Sequence, residues 1–109
     1  MRRPIVFALL LGVALAAGIT VARTTQHEVT QKDRSFSVAR LQVQKGDSVS
    51  FKNLDPFFHN IFSVTKGSEF DLGAFPHGEA KQVRFDKAGI VEVECALHPE
   101  MKLEVEVRE

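Results

Sequence analysis

Gly89-Ile90-Val91-Glu92-Val93-Glu94-Cys95-Ala96-Leu97-His98-Pro99-Glu100-Met101-Lys102-Leu103-Glu104-Val105-Glu106-Val107-Arg108 is the stretch that decides the fold. Val91, Val93 and Cys95 alternate with Ile90, Glu92 and Glu94. After His98-Pro99-Glu100, Met101, Leu103, Val105 and Val107 take one face, and Lys102, Glu104, Glu106 and Arg108 take the other. A period of two with one apolar and one charged face predicts two strands, each with a buried side and a wet side. Just upstream, Val83 and Phe85 oppose Gln82, Arg84 and Asp86, and Lys87-Ala88-Gly89 turns the chain. Phe36, Val38, Leu41-Gln42-Val43 and Val49-Ser50-Phe51 repeat the alternation, interrupted at Lys45-Gly46-Asp47. That break fits either a hairpin or a crossover between two sheets.

Asn53-Leu54-Asp55-Pro56 ends a strand, because proline disfavours helix at the residue before it. Phe57 to Val64 reads as a loop entering a short strand. Lys66-Gly67-Ser68 is a turn, Phe70 to Gly73 a short extended piece, and Phe75-Pro76-His77-Gly78 an irregular loop. Beyond residue 23 no window carries apolar residues at helical spacing. Seven or eight short strands with Gly and Pro turns predict an all-β sandwich or small barrel.

The N-terminus has a different character. Arg2 and Arg3 precede an apolar run from Ile5 to Ala17, and two sets near its end, Ala14-Leu15-Ala16 and Thr20-Val21-Ala22, fit small-residue cleavage. This is the layout of a secretory signal peptide, residues 1–22, cleaved after about residue 16 to 22. A retained membrane anchor is the competing reading, but the run is short for a spanning helix. Residues 23–33 read as a polar tail, and 34–109 as the folded domain. Without Arg2 and Arg3 the chain keeps 12 basic residues against 14 acidic ones, a net charge of about −2. No basic patch or stripe is present, which argues against a nucleic-acid partner. A periplasmic location and no stable membrane insertion after processing are expected.

The chain has one cysteine, Cys95. Exported proteins commonly pair their cysteines, so a lone thiol draws attention to its neighbours. Cys95, His98 and Met101 follow the spacing Cys-x2-His-x2-Met between two strands. Each residue alone has a bland reading: a buried thiol, a loop histidine, a core methionine. Together they bring a thiol, an imidazole and a thioether to one loop, and His59 is the best source of a second imidazole. Two histidines and a cysteine with a weak axial methionine describe a blue-copper electron-transfer site. Methionine is a poor zinc ligand, so Met101 favours copper, one Cu(I)/Cu(II) ion per chain. His27 and His77 lack ligand spacing. Asn60 is a candidate tie between the two ligand segments, and Phe57, Phe58, Phe62 and Phe75 are candidates for excluding water.

These segments resemble the cupredoxins, the small blue copper proteins of the plastocyanin, pseudoazurin and amicyanin type. The resemblance runs from about Val38 to Val107. It rests on Val43 to Phe51 as strand, Gly-Asp turn and strand, on Asp55 to Ser63 as the segment of the first histidine, and on Phe85-Asp86-Lys87-Ala88-Gly89 before the strand into Cys95. The Cys95–Met101 loop resembles that of the amicyanin type. Phe70-Asp71-Leu72-Gly73 looks closest to bacterial periplasmic plastocyanin-like or methylamine-utilisation-like proteins. The resemblance implies an eight-stranded Greek-key sandwich with copper at one end. It fits a one-electron carrier rather than an enzyme. A monomer is expected, with redox partners such as a cytochrome, a dehydrogenase or an oxidase. Copper storage or delivery without redox cycling is the alternative. The resemblance further implies that His98 is the exposed ligand and His59 the buried one, with Leu97 and Pro99 in an apolar docking patch.

Overall fold

The computed structural model describes residues 25–109. The expected signal peptide lies outside the described residues. Nine strands follow in chain order: β1 Gln26–Lys32, β2 Ser35–Phe36, β3 Arg40–Gln44, β4 Ser48–Asn53, β5 His59–Ser63, β6 Phe70–Phe75, β7 Ala80–Arg84, β8 Gly89–Glu94 and β9 Lys102–Arg108. They form two sheets, one ordered β2-β1-β4-β7 and the other β3-β9-β8-β5-β6. The β1–β4 and β3–β9 pairs are parallel, and the other pairs antiparallel. The all-β sandwich is as expected, with a two-residue β2 and an additional β1 bringing the strands to nine.

The core is the set of inward positions that the alternation marks. Val43, Val49, Phe51, Ile61, Phe75, Phe85, Val91, Val93, Leu103, Val105 and Val107 are buried between the sheets, together with Val29. Burial of a full aliphatic or aromatic side chain stabilises by roughly 1.5–3 kcal/mol, so this set is the main favourable term of folding. The Lys45-Gly46-Asp47 break is a crossover, since β3 and β4 lie in different sheets. Gly46 sits at φ 93°, where a side chain would be strained.

Two segments depart from the sequence reading. Residues 26–32, expected in a polar tail, form β1 and pair in parallel along β4, from Gln26↔Ser48 to Gln31↔Asn53. The folded domain therefore begins ahead of residue 34. The strand was hidden because its two buried positions are Val29 and Gln31, and a polar residue at the second breaks the apolar alternation. Val38, expected in a strand, lies in the link between β2 and β3 and is exposed.

β1 and β2 are joined by Asp33 and Arg34, both in the left-handed region at φ 53° and 55°. That conformation matches the twist of a two-residue hairpin but is uncommon for residues other than glycine. The turn is stabilised from outside the hairpin. Asp33 N–H and Arg34 N–H donate to the two carboxylate oxygens of Asp55, at 2.7 and 3.1 Å.

Candidate metal centre

The site lies where β8 ends and β9 begins, opposite the start of β5. The spacing Cys-x2-His-x2-Met has a direct geometric consequence. His98 N–H donates to Cys95 O at 3.3 Å, and Met101 N–H donates to His98 O at 2.9 Å. Two successive reversals thus wind the loop so that residues three apart approach one another. Cys95 Sγ and His98 Nδ1 lie 3.8 Å apart. Pro99, directly after His98, has no N–H that needs a partner.

The second imidazole comes from 36 residues upstream. His59, the first residue of β5, places Nδ1 3.6 Å from Cys95 Sγ. The donor atoms of His59, Cys95 and His98 all lie within 4.8 Å of one another. His59 is wholly buried and Cys95 is 2% exposed, whereas His98 is partly accessible. Met101 is buried directly before β9. A buried thiol and two imidazoles with their Nδ1 atoms converging on it form a donor set suited to copper.

Asp55 fixes His59. Its Oδ2 lies 2.7 Å from His59 Nε2, with both side chains buried. An ionised carboxylate only accepts, so Nε2 is the ring nitrogen that donates to it, and Nδ1 is the one that faces Cys95 Sγ. Burial pushes the Asp55 carboxyl up. The hydrogen bonds from His59 and from Arg34 N–H and Asp33 N–H outweigh that effect and hold it below its ordinary value. Asp55 N–H donates to Asn53 Oδ1, and Asn53 Nδ2 donates to Phe57 O and Phe75 O. His77, not expected as a ligand, lies with Nδ1 3.1 Å from Asp55 O and outside the cluster.

Phe57 packs edge-on against His59, with centroids 5.3 Å apart, and tilted against His98 at 5.1 Å. The Arg34 guanidinium lies over the Phe57 ring, 5.5 Å from its centroid. The other phenylalanines divide: Phe75 is buried in the core, Phe62 is partly buried and Phe58 is 56% exposed. Asn60 joins the two ligand segments. Its N–H points at Cys95 Sγ from 3.4 Å, and its Oδ1 accepts from Ala96 N–H at 3.5 Å. Asp71 Oδ1 accepts from Asn60 Nδ2 at 3.0 Å and from Gly73 N–H at 2.8 Å. These bonds, the Gly73 one first, lower the Asp71 carboxyl below its usual value.

Sequence reasoning missed Asp55, which it took only as a strand-ending residue. The available signal was a carboxylate four residues before the candidate histidine. It missed the Asp33–Arg34 turn altogether, since only the folded chain brings it to Asp55.

Comparison with known proteins agrees with this geometry. The family described as copper binding proteins, plastocyanin/azurin family, matches residues 23–108. The methylamine utilization protein MauL of Methylorubrum extorquens is 28% identical over 98 residues, which cover 89% of this chain and 86% of that protein. A reduced Cu(I) form of an amicyanin mutant superposes with a TM-score of 0.70 at 25% identity, covering 82% of this chain and 87% of that one. The copper-containing nitrite reductase of Thermus scotoductus SA-01 superposes with a TM-score of 0.71 at 26% identity over 77% of this chain. This chain matches only 22% of the reductase's length. A single copper cofactor and a type 1 His/Cys/His cluster go with these matches. The chain belongs to the plastocyanin/azurin family of copper-binding proteins and is a small electron carrier of the blue-copper type.

Proposed function

We propose that His59 Nδ1, Cys95 Sγ and His98 Nδ1 hold the copper ion, that Met101 is its weak axial ligand, and that the protein carries single electrons between redox partners in the periplasm. The observation that carries this reading is the convergence of the three donor atoms within 4.8 Å of one another around a buried thiol. Bound copper supplies a one-electron Cu(II)/Cu(I) couple. The chain's own residues do the rest. Cys95 offers a soft thiolate, while Asp55 and Asn60 fix the flanking groups before the ion arrives. Ligands held by packing and hydrogen bonds rearrange little between oxidation states.

His98 is the route for the electron. It is the partly accessible histidine, and Leu97 beside it is 53% exposed. An apolar rim around an accessible ligand edge lets partners of different charge approach closely. Export as a periplasmic protein is supported by the signal-like residues 1–22 and by the resemblance to a methylamine utilization protein. Among the described residues no helix is long and apolar enough to cross a membrane.

The test is addition of Cu(II) to the purified exported protein, with optical and paramagnetic spectra and then voltammetry. An intense thiolate-to-copper band and a reversible one-electron potential are expected. Copper uptake with no reversible potential, and ready release to a chelator, would replace electron carriage by copper storage or delivery.

A further inference from the structure

We propose that Asp55, anchored by the Asp33–Arg34 turn, is a positioning residue that sets the tautomer and orientation of His59 and biases the metal centre toward Cu(II). The proposal rests on the ligand reading above and deepens it. Three observations carry it. First, Asp55 Oδ2 is 2.7 Å from His59 Nε2, and both side chains are buried. A carboxylate behind a ligating histidine locks the ring and raises its basicity. It also brings a negative charge close to the ion, where low dielectric strengthens its effect. Both actions favour the more positive oxidation state.

Second, the carboxylate is itself held. It accepts from Asp33 N–H and Arg34 N–H while its own N–H donates to Asn53 Oδ1. The group is therefore fixed before any ion binds. Third, the donors sit in a turn with two consecutive non-glycine residues at positive φ. Such strain persists where surrounding contacts over-determine it, and it clusters at functional sites. Here the contacts that stabilise the turn end on the carboxylate that touches His59. The β1–β2 hairpin, remote in sequence from Cys95 and His98, thus forms an outer layer of the metal centre.

The test uses copper-loaded exported protein: wild type, Asp55→Asn and Arg34→Gly. Asp55→Asn should keep the thiolate band yet shift the Cu(II)/Cu(I) equilibrium at least tenfold toward Cu(I), a rise of 59 mV or more. Arg34→Gly keeps the backbone N–H and relieves the positive φ, so its potential should stay at the wild-type value. A folded, coloured Asp55→Asn protein with wild-type potential would overturn the proposal. So would an Arg34→Gly shift as large as that of Asp55→Asn, which would assign the effect to the guanidinium over Phe57. If Asp55→Asn does not fold, nitrogen NMR of His59 in the wild-type apo and Cu(I) proteins decides. A slowly exchanging proton on Nε2 is expected in both, and a proton on Nδ1 in the apo protein overturns the proposal. Failure of the wild type to take up copper overturns the ligand reading itself, and is recognisable before any variant is compared.

Discussion

The two ends of β4 carry nearly the same arrangement of groups and put it to different uses. Asp47 precedes the strand and Asp55 follows it, at opposite ends of six residues that span roughly 20 Å at about 3.3 Å per residue. Each carboxylate accepts two backbone N–H groups and faces the Nε2 of a histidine. Asp47 takes Thr25 N–H and Gln44 N–H, with His27 Nε2 at 3.0 Å. Asp55 takes Asp33 N–H and Arg34 N–H, with His59 Nε2 at 2.7 Å. Both pins tie the β1 region to a loop beside β4. The difference is what stands on the far side of the imidazole. His59 is wholly buried with Nδ1 facing Cys95 Sγ, whereas the His27 side chain is 24% exposed and lies outside the metal-ligand cluster. A histidine–aspartate pair is therefore a structural latch at one end and the backing of a ligand at the other, and only its surroundings decide which.

The strongest way to break this contrast is through the thiol. Cys95→Ser should remove essentially all of the intense visible band, because a hard hydroxyl replaces the soft thiolate. Retention of both the band and tight copper binding would show that the converging histidines are served by some other donor.

The two histidines should separate next by copper-dependent stability. Ligands that converge only in the folded chain make copper stabilising, by about 2.7 kcal/mol at a hundredfold excess over Kd. His59→Ala should abolish the rise in Tm on adding copper, while His27→Ala should lower Tm in both forms and leave the rise intact. Equal rises in the two variants would mean that the ends do not differ as described.

The latch at the far end should matter for stability alone. Asp47→Ala strands two backbone N–H groups and His27, and should cost roughly 1–3 kcal/mol with an unchanged copper spectrum. Hydrogen bonding, from His27 first and then Gln44 N–H, lowers the Asp47 carboxyl below 3.8 despite its burial. With a depressed folded pKa, the unfolded chain binds more protons in that window. The contribution of Asp47 is therefore fully present above about pH 4–5 and is lost as pH falls through the folded value. Asp47→Asn should accordingly lose less stability than wild type as pH falls below about 4. An identical acid profile for the two proteins would remove Asp47 from the acid response.

The smallest effect is expected at the surface of the metal end. Leu97→Glu should slow electron transfer to a surrogate cytochrome several-fold, with little change in the visible spectrum and weak dependence on salt. A rate indifferent to Leu97→Glu but strongly altered by Glu94→Lys and by salt would move docking from the apolar rim to the acidic edge.

The C-terminal part of the molecule was the most legible. The alternation through Val91, Val93 and Cys95 and through Met101, Leu103, Val105 and Val107 reappears as buried positions on β8, in the ligand loop and on β9. The ligand spacing belongs to that same local stretch, since two backbone reversals suffice to bring Cys95 and His98 together. The first strand was illegible for the opposite reason. Gln31 occupies an inward position, and the order of β1 comes from its parallel pairing with β4, across more than twenty residues of chain.

The sequence by itself therefore determined the strand class, the place of the thiol and the local loop that presents Cys95, His98 and Met101, because period and short spacing are properties of neighbouring residues. Only the tertiary structure decided that the Lys45–Asp47 break crosses between sheets, that β1 joins the sandwich and that Asp55, not Asp47, stands behind the histidine facing Cys95. Those choices depend on groups that meet only when two sheets close on one core. The aspartates at the two ends of β4 are chemically alike, and the short spacing from Asp55 to His59 gains its meaning only when the fold brings the thiol beside that histidine.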